Sequence, residues 1–255
     1  MKIYRFKYKR KIFYGILKEE TLFPVEGSIF RNISVGGKGI PISDVILLAP
    51  VKPSKIVAVG VNYRDHARER GKPLPEEPLI FLKPPSAVAG PNDIIIYPRM
   101  TKRVDYEGEL ALVVKKKAAR LTETARWKDY VLGYTCFNDV TARDLQDKDG
   151  QFTRAKSFDT FAAVGPCIVT GLDPSSLRIK TFLNGKLRQS GNTRNLIFPI
   201  PFLLKFISNI MTLNPGDIIT TGTPAGIGPM QPGDRVDVQI SEIGTLSNTV
   251  MRIKA

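Results

Sequence analysis

The stretch VDYEGELALVV, residues 104–114, constrains the fold more than any other part of the chain. Side chains of a strand alternate between two faces. Read as one strand, it puts Tyr106, Gly108, Leu110, Leu112 and Val114 on one face and Asp105, Glu107, Glu109, Ala111 and Val113 on the other. Both faces turn apolar, as in a strand covered on both sides. Three successive acids on such a strand repel one another and lose their hydration, so they need a compensating cation. A second apolar run, YVLGYTCFND, ends in Asp139 and offers a third carboxylate beside Glu107 and Glu109. Oxygen-only ligation suits Mg2+, Mn2+ or Ca2+ rather than Zn2+. An arbitrary E-x-E pair is far more often a solvated strand face. The apolar flanks shift the reading here.

At 255 residues the chain fits one large domain, or one with a small appendage. Residues 1–54 read as a small N-terminal β-rich domain, in which KIYRFKY alternates and the glycines of SVGGKGIP punctuate. Residues 55–255 read as the catalytic domain. Short apolar runs between turn residues, as in LIFLKPPSAVAGPNDIIIYP, predict an α+β architecture dominated by β. Asn184-Gly185 between alternating segments predicts a tight hairpin. NYRDHARER predicts a short helix with Asn62 as a possible N-cap. FPIPFLLKFISNIM predicts an amphipathic helix with Phe202, Leu203, Phe206, Ile207 and Ile210 on one side.

The net charge of +14 admits a nucleic acid, an anionic surface or an anionic small molecule as partner. The cations are scattered, with one tight run at Lys115–Lys117, and no RNA-binding signature with interleaved aromatics is visible. A basic nucleic-acid-binding protein is therefore the weaker reading, and no membrane partner is expected. No apolar run approaches the ~20 residues of a membrane span. The basic N-terminus lacks the apolar segment of a secretory signal. Cys136 and Cys167 form neither a CxxC pair nor a disulfide framework, which points to a reducing, cytoplasmic setting.

The lone histidine, His66, precedes Glu69 by three residues, so the two side chains can meet on a helix. A carboxylate that orients an imidazole makes a general base near working pH. A plain surface contact is the alternative. Asp139, Arg143 and Gln146 step by four and three, which aligns them if the segment turns helical. Arg143 would then offer its fork to a substrate carboxylate, or else pair at the surface with Asp144 or Asp147. Lys156 stands just before an apolar run. TTGTPAGIG is a Gly/Thr loop whose N–H groups and Thr223 suit a carboxylate or oxyanion, or merely make a tight turn.

Taken in order, VNYRDHARE, FLKPPSAVAGP, VDYEGELALVV, GYTCFNDVTARDLQ, RAKSFDTFAAVGP, LNGKLRQSGNT, MTLNPGDIITTGTPAGIG and PGDRVDVQI resemble the fumarylacetoacetate hydrolase family. Each piece alone is unspecific; the ordered set, over roughly three quarters of the chain, is specific. The resemblance implies a β-rich roll and a homodimer. It implies one Mg2+ or Mn2+ on Glu107, Glu109 and Asp139. Asp105 lies on the same strand face and is read as bracing the site, not as a ligand. The resemblance also implies a lid carrying a His66/Glu69 dyad, and contacts to substrate or transition state from Arg143, Gln146, Lys156 and Thr223. The activity it implies is on 2-oxo or 1,3-dioxo acids. Acylpyruvate-type C–C hydrolysis is favoured by the intact dyad. Decarboxylation or isomerisation, of oxaloacetate or 2-hydroxyhepta-2,4-diene-1,7-dioate, is the alternative.

Overall fold

In a computed structural model that describes residues 1–69, 71 and 73–252, the strands assemble into one thirteen-stranded sheet and two smaller ones. Strands β1 (Lys2–Tyr8), β2 (Lys11–Lys18) and β3 (Thr21–Glu26) form an antiparallel ribbon. β4 (Ile56–Gly60) leads into helix α1 (Arg64–Glu69), and β5 (Leu79–Lys83) returns antiparallel to β4. β6 (Val104–Tyr106), β7 (Gly108–Val114) and β8 (Val131–Asp139) follow, then helices α2 (Arg143–Asp149) and α3 (Thr153–Lys156) and strand β9 (Ala162–Val169). The hairpin β10 (Arg178–Leu183) and β11 (Lys186–Asn192) precedes helix α4 (Ile200–Ile210). β12 (Ile218–Thr220), β13 (Gly228–Met230), β14 (Arg235–Ile240) and β15 (Gly244–Met251) complete the chain.

The large sheet runs β3-β2-β1-β9-β8-β7-β12-β4-β5, so β7 lies deep inside it, between β8 and β12. That position explains its two apolar faces. Leu110, Leu112 and Val114 pack with Val57, Val59 and Leu203 on one side. Ala111 and Val113 pack with Ile56, Phe137 and Ile218 on the other. A slip of one residue would turn Glu109 into the cluster around Leu203, so burial fixes the register.

The stretch 104–114 is nevertheless two strands, not the one that its alternation predicts. β6 leaves the large sheet at Glu107 and pairs with Thr141–Ala142 and β13. Side chains take over the backbone bonds at the break. Glu107 N–H donates to Asn138 Oδ1 (2.9 Å), and Gly108 N–H donates to Gln189 Oε1 (2.9 Å). Only glycine fits between the two glutamates, since a Cβ at Gly108 would lie 2.2 Å from Thr181 Oγ1.

The predicted hairpin forms, with Asn184 (φ 52°) and Gly185 (φ 75°) both left-handed, as a two-residue turn of this kind requires. Helix α1 begins at Arg64, and Asn62 does not cap it. The Asn62 amide instead donates to Phe198 O (3.1 Å) and Thr221 O (2.9 Å) and accepts from Phe198 N–H (2.7 Å). Arg70, at the end of the expected helix, Lys72 and residues 253–255 lie outside the described residues.

Helix α4 turns a different face inward than predicted. Ile200, Leu203, Leu204 and Ile207 are buried, at i, i+3, i+4 and i+7, while Phe202 is 44% and Ile210 54% exposed. Phe202 stacks between Phe198 and Phe206, with centroids 5.6 and 6.0 Å apart. A helix this apolar has two competing stripes, and the sheet selects one. Among the described residues, no helix is long and apolar enough to cross a membrane.

Candidate active site

Antiparallel pairing sets Gly108 opposite Asn138 at the end of β8, and Asp139 N–H donates to Glu107 O (2.9 Å). The strand break thereby gathers Glu107, Glu109 and Asp139, with one carboxylate oxygen of each within 4.8 Å of the others. They are only 6%, 1% and 1% exposed, so their charges must be met inside the protein.

Three cations meet them. Lys156 Nζ bridges Glu107 Oε2 (3.0 Å) and Asp139 Oδ2 (2.6 Å). Lys83 Nζ, wholly buried, donates to Asp139 Oδ1 (2.5 Å) and Val140 O (3.2 Å). Arg143 donates from Nε to Asp105 Oδ2 (2.9 Å), from Nη2 to Glu107 Oε1 and from Nη1 to Gln146 Oε1. Asp105 is thus tied to the site through Arg143.

Glu109 is the acid that no cation touches among the described residues; its Oε2 accepts the Gly222 N–H (2.9 Å). Burial, and then Asp139 and Glu107, push its carboxyl well above the usual range. Burial opposes ionisation of Glu107 too, but Lys156 and Arg143 outweigh it and hold that carboxyl well below the usual range. Burial lowers the Lys83 ammonium to about 8, against the pull of Asp139. Burial and neighbouring charge thus push two glutamates, two residues apart, in opposite directions. What the cluster lacks is one positive charge at Glu109. Hard oxygen donors suit a dication such as Mg2+ or Mn2+.

The sign of the pH dependence follows. A metal bound at Glu109 would need that carboxylate ionised, so affinity should rise with pH above the ordinary carboxylate value and level off past the raised one. Calorimetry with Mg2+ over a pH series that starts above the ordinary carboxylate value should show the Kd falling by up to about tenfold per pH unit until the raised value is passed. A flat Kd would mean that Glu109 is ionised before the metal arrives.

Helix α1 covers the acids. His66, 7% exposed, shares a 2.9 Å hydrogen bond between Nδ1 and Glu69 Oε2, and Glu69 Oε1 accepts the Gly226 N–H (2.9 Å). With Nδ1 engaged, Nε2 is the ring nitrogen left for the cavity. The cavity wall includes Glu107, Glu109, Asp139, His66, Arg143, Gln146, Lys156 and Thr223, which are all the expected site residues except Glu69, standing behind His66. The rest of the lining is apolar: Val59, Gly60, Val61, Phe81 and Phe152, with the two rings edge-on at 5.2 Å and Lys156 Nζ over the Phe81 ring, 5.1 Å from its centroid.

Two side chains are more committed than their residue types suggest. Three of the five Arg143 N–H groups have protein acceptors, which leaves two for a substrate among the described residues. Arg143 therefore belongs to the fold as well as to the cavity. Arg143→Lys should cost about 2 kcal/mol, or roughly 4–8 °C in Tm for a chain of this size. It should also lower kcat/KM about tenfold or more through loss of the planar fork. A melting scan beside steady-state kinetics checks both, and an unchanged Tm would show the bracing to be idle. The Thr223 hydroxyl donates to Gly108 O (2.9 Å) and accepts from Gln189 Nε2 (2.7 Å). Its proton is spoken for, so N–H groups of the loop remain the donors for an oxyanion.

Sequence reasoning missed Lys83 and Gln189. A lysine inside the apolar run LIFLK was a usable signal. Gln189 gave none, because KLRQSGN reads as a polar edge strand.

A family model described as fumarylacetoacetate (FAA) hydrolase C-terminal matches residues 55–251. The chain belongs to the fumarylacetoacetate hydrolase family. Members of the family are enzymes, among them hydrolases, isomerases, tautomerases and decarboxylases, and the chain is an enzyme of this kind. A second model, described as Rv2993c-like, N-terminal, matches residues 1–50. The chain is 44% identical to oxaloacetate tautomerase YisK of Bacillus subtilis, over 86% of this chain and 77% of that protein. It is 41% identical to the crystal structure of 2-hydroxyhepta-2,4-diene-1,7-dioate isomerase from Mycobacterium marinum, with a TM-score of 0.93 over 100% of both chains. It is also 32% identical to maleylpyruvate hydrolase from Sphingobium sp. SYK-6 in complex with manganese(II) and pyruvate, with a TM-score of 0.82 over 100% of both.

Proposed function

We propose that this enzyme moves the proton at C3 of a small 2-oxo acid, interconverting its keto and enol forms with the help of a divalent metal. The observation that carries the reading is the grouping of three buried acids, one of them without a cation, in a cavity that also holds an imidazole fixed by a carboxylate. Glu107, Glu109 and Asp139 would hold Mg2+ or Mn2+, and the bound dication would polarise a 2-oxo carboxylate and lower the cost of negative charge on its oxygen. The manganese and pyruvate in the maleylpyruvate hydrolase relative support that assignment.

Glu69 holds the His66 proton on Nδ1, which leaves Nε2 as the base. His66 Nε2 would take the C3 proton of the keto form while the 2-oxygen takes a proton from a water molecule, and in the reverse direction the imidazolium would return its proton to C3 as the enol O–H proton passes to water. The two remaining Arg143 N–H groups and Lys156 would orient the substrate's carboxylates. The Phe81–Phe152 wall would keep bulk water off C3. Nothing is consumed: one C–H bond breaks as one O–H bond forms. The tautomerase and isomerase relatives, both above 40% identity, support proton transfer over cleavage.

C–C hydrolysis of an acylpyruvate, the reading first favoured by the intact dyad, stands second. The maleylpyruvate hydrolase relative supports it, and it would need a water beside His66. The deciding assay follows the ultraviolet absorbance of enol-oxaloacetate and the cleavage of an acylpyruvate on one preparation, with Mg2+ and with EDTA. Mg2+-dependent acceleration of enol decay is expected. Acylpyruvate cleavage without that acceleration would overturn the reading in favour of the hydrolase. The division into residues 1–54 and 55–255 belongs to the same proposal. The two family matches support it, although β1 pairs with β9 across it.

A further inference from the structure

Gly108 stands between the two glutamates, and neither of its main-chain hydrogen bonds is made by a strand. Its N–H donates to Gln189 Oε1 (2.9 Å), and its carbonyl accepts from Thr223 Oγ1 (2.9 Å). Gln189 closes the ring by donating from Nε2 to Thr223 Oγ1 (2.7 Å), and it donates again to Pro224 O (2.8 Å). Gln189 lies on β11, in a different sheet from the acids, and is completely buried. Its amide orientation is forced, since a flip would set an NH2 against the Gly108 N–H and an oxygen against Pro224 O.

The loop it grips serves the rest of the site. Gly222 N–H reaches Glu109, and Gly226 N–H reaches Glu69. The fit is close at both ends. A Cβ at Gly108 would sit 3.2 Å from Gln189 Oε1, and one at Gly226 would sit 2.2 Å from Arg188 O.

We infer that Gln189 is a positioning residue of the site: through Gly108 and Thr223 it sets where Glu107, Glu109 and the Thr223 hydroxyl stand. The inference rests on the reading that the three acids bind metal. Gln189 touches neither the acids nor the cavity, so its action is indirect. Partners of that kind typically change metal affinity or activity 10–100-fold.

The test compares Gln189→Met, which removes all three hydrogen bonds, with Gln189→Glu, which keeps the shape and an oxygen for the Gly108 N–H. Mg2+ affinity is measured by calorimetry on folded protein without substrate. The Met variant should bind Mg2+ about 10–100-fold more weakly, and the Glu variant within about threefold of the parent. A role in stability alone would lower Tm in both and leave the dissociation constant where it was; that result overturns the inference. If the parent itself binds neither Mg2+ nor Mn2+, the metal reading falls and takes the inference with it. Should the Met variant not fold, a double-mutant cycle of Gln189→Glu with Thr223→Val decides. Non-additive effects on KM support the ring, and additive effects overturn it.

Discussion

Glu109→Gln should leave the metal-free protein about as stable as the parent while removing more than about 100-fold of its Mg2+ affinity, beyond the 10–100-fold typical of losing an outer partner. Burial and two neighbouring carboxylates already disfavour charge on Glu109, so the neutral amide replaces it at little cost before metal arrives. Its Oε1 still accepts the Gly222 N–H that Glu109 receives at 2.9 Å. Saturating Mg2+ at about 100 times its Kd should stabilise the parent by about 2.7 kcal/mol, or roughly 5–11 °C at this chain length. The same addition should move the variant hardly at all. Glu107→Gln should behave oppositely, because it strips the carboxylate from Lys156 and Arg143 and leaves two buried cations underpaired. Breaking a buried pair costs about 3–5 kcal/mol, so that variant should melt far lower even without metal. Equal metal-free melting temperatures for the two variants would refute the opposite pulls on the two glutamates.

What could be read from the sequence follows the range of the interactions. The acids were legible because β7 is apolar on both faces, which leaves a carboxylate no solvent to face. The dyad was legible because three residues on a helix separate its members. The hairpin was legible because two adjacent residues determine its turn. The strand break at Glu107 was not. It is made by Gln189, 81 residues along the chain from Gly108, and no local pattern records that bond. Lys83 likewise pairs with Asp139 across 56 residues. Arg143 was read as a fork for substrate or a surface partner of Asp144 or Asp147, because its actual network, Asp105 and Glu107, lies more than 35 residues upstream. The inward stripe of α4 went wrong for a related reason. Both stripes of that helix are apolar, and only the sheet beneath decides which is buried.

His66→Ala should cost about 10²–10⁴ in kcat for enolisation, the usual contribution of a positioned general base. Metal affinity should hardly change, since His66 makes its side-chain bond to Glu69 and none to the three acids. Glu69→Gln should cost less. The amide can still accept the Gly226 N–H, so α1 stays tethered, but an amide no longer assists the charge that the imidazole gains on taking a proton. The reaction measured decides how the result is read. Loss of CO2 from oxaloacetate breaks a C–C bond and asks for no proton from C3, so decarboxylation should survive the His66 change far better than enol decay or acylpyruvate hydrolysis. Both rates are measured on one His66→Ala preparation at saturating Mg2+, with calorimetry confirming that the metal is bound. Enol decay within about threefold of the parent would remove His66 as the proton carrier. A loss confined to acylpyruvate cleavage would instead make His66 the activator of a water and restore the hydrolase reading.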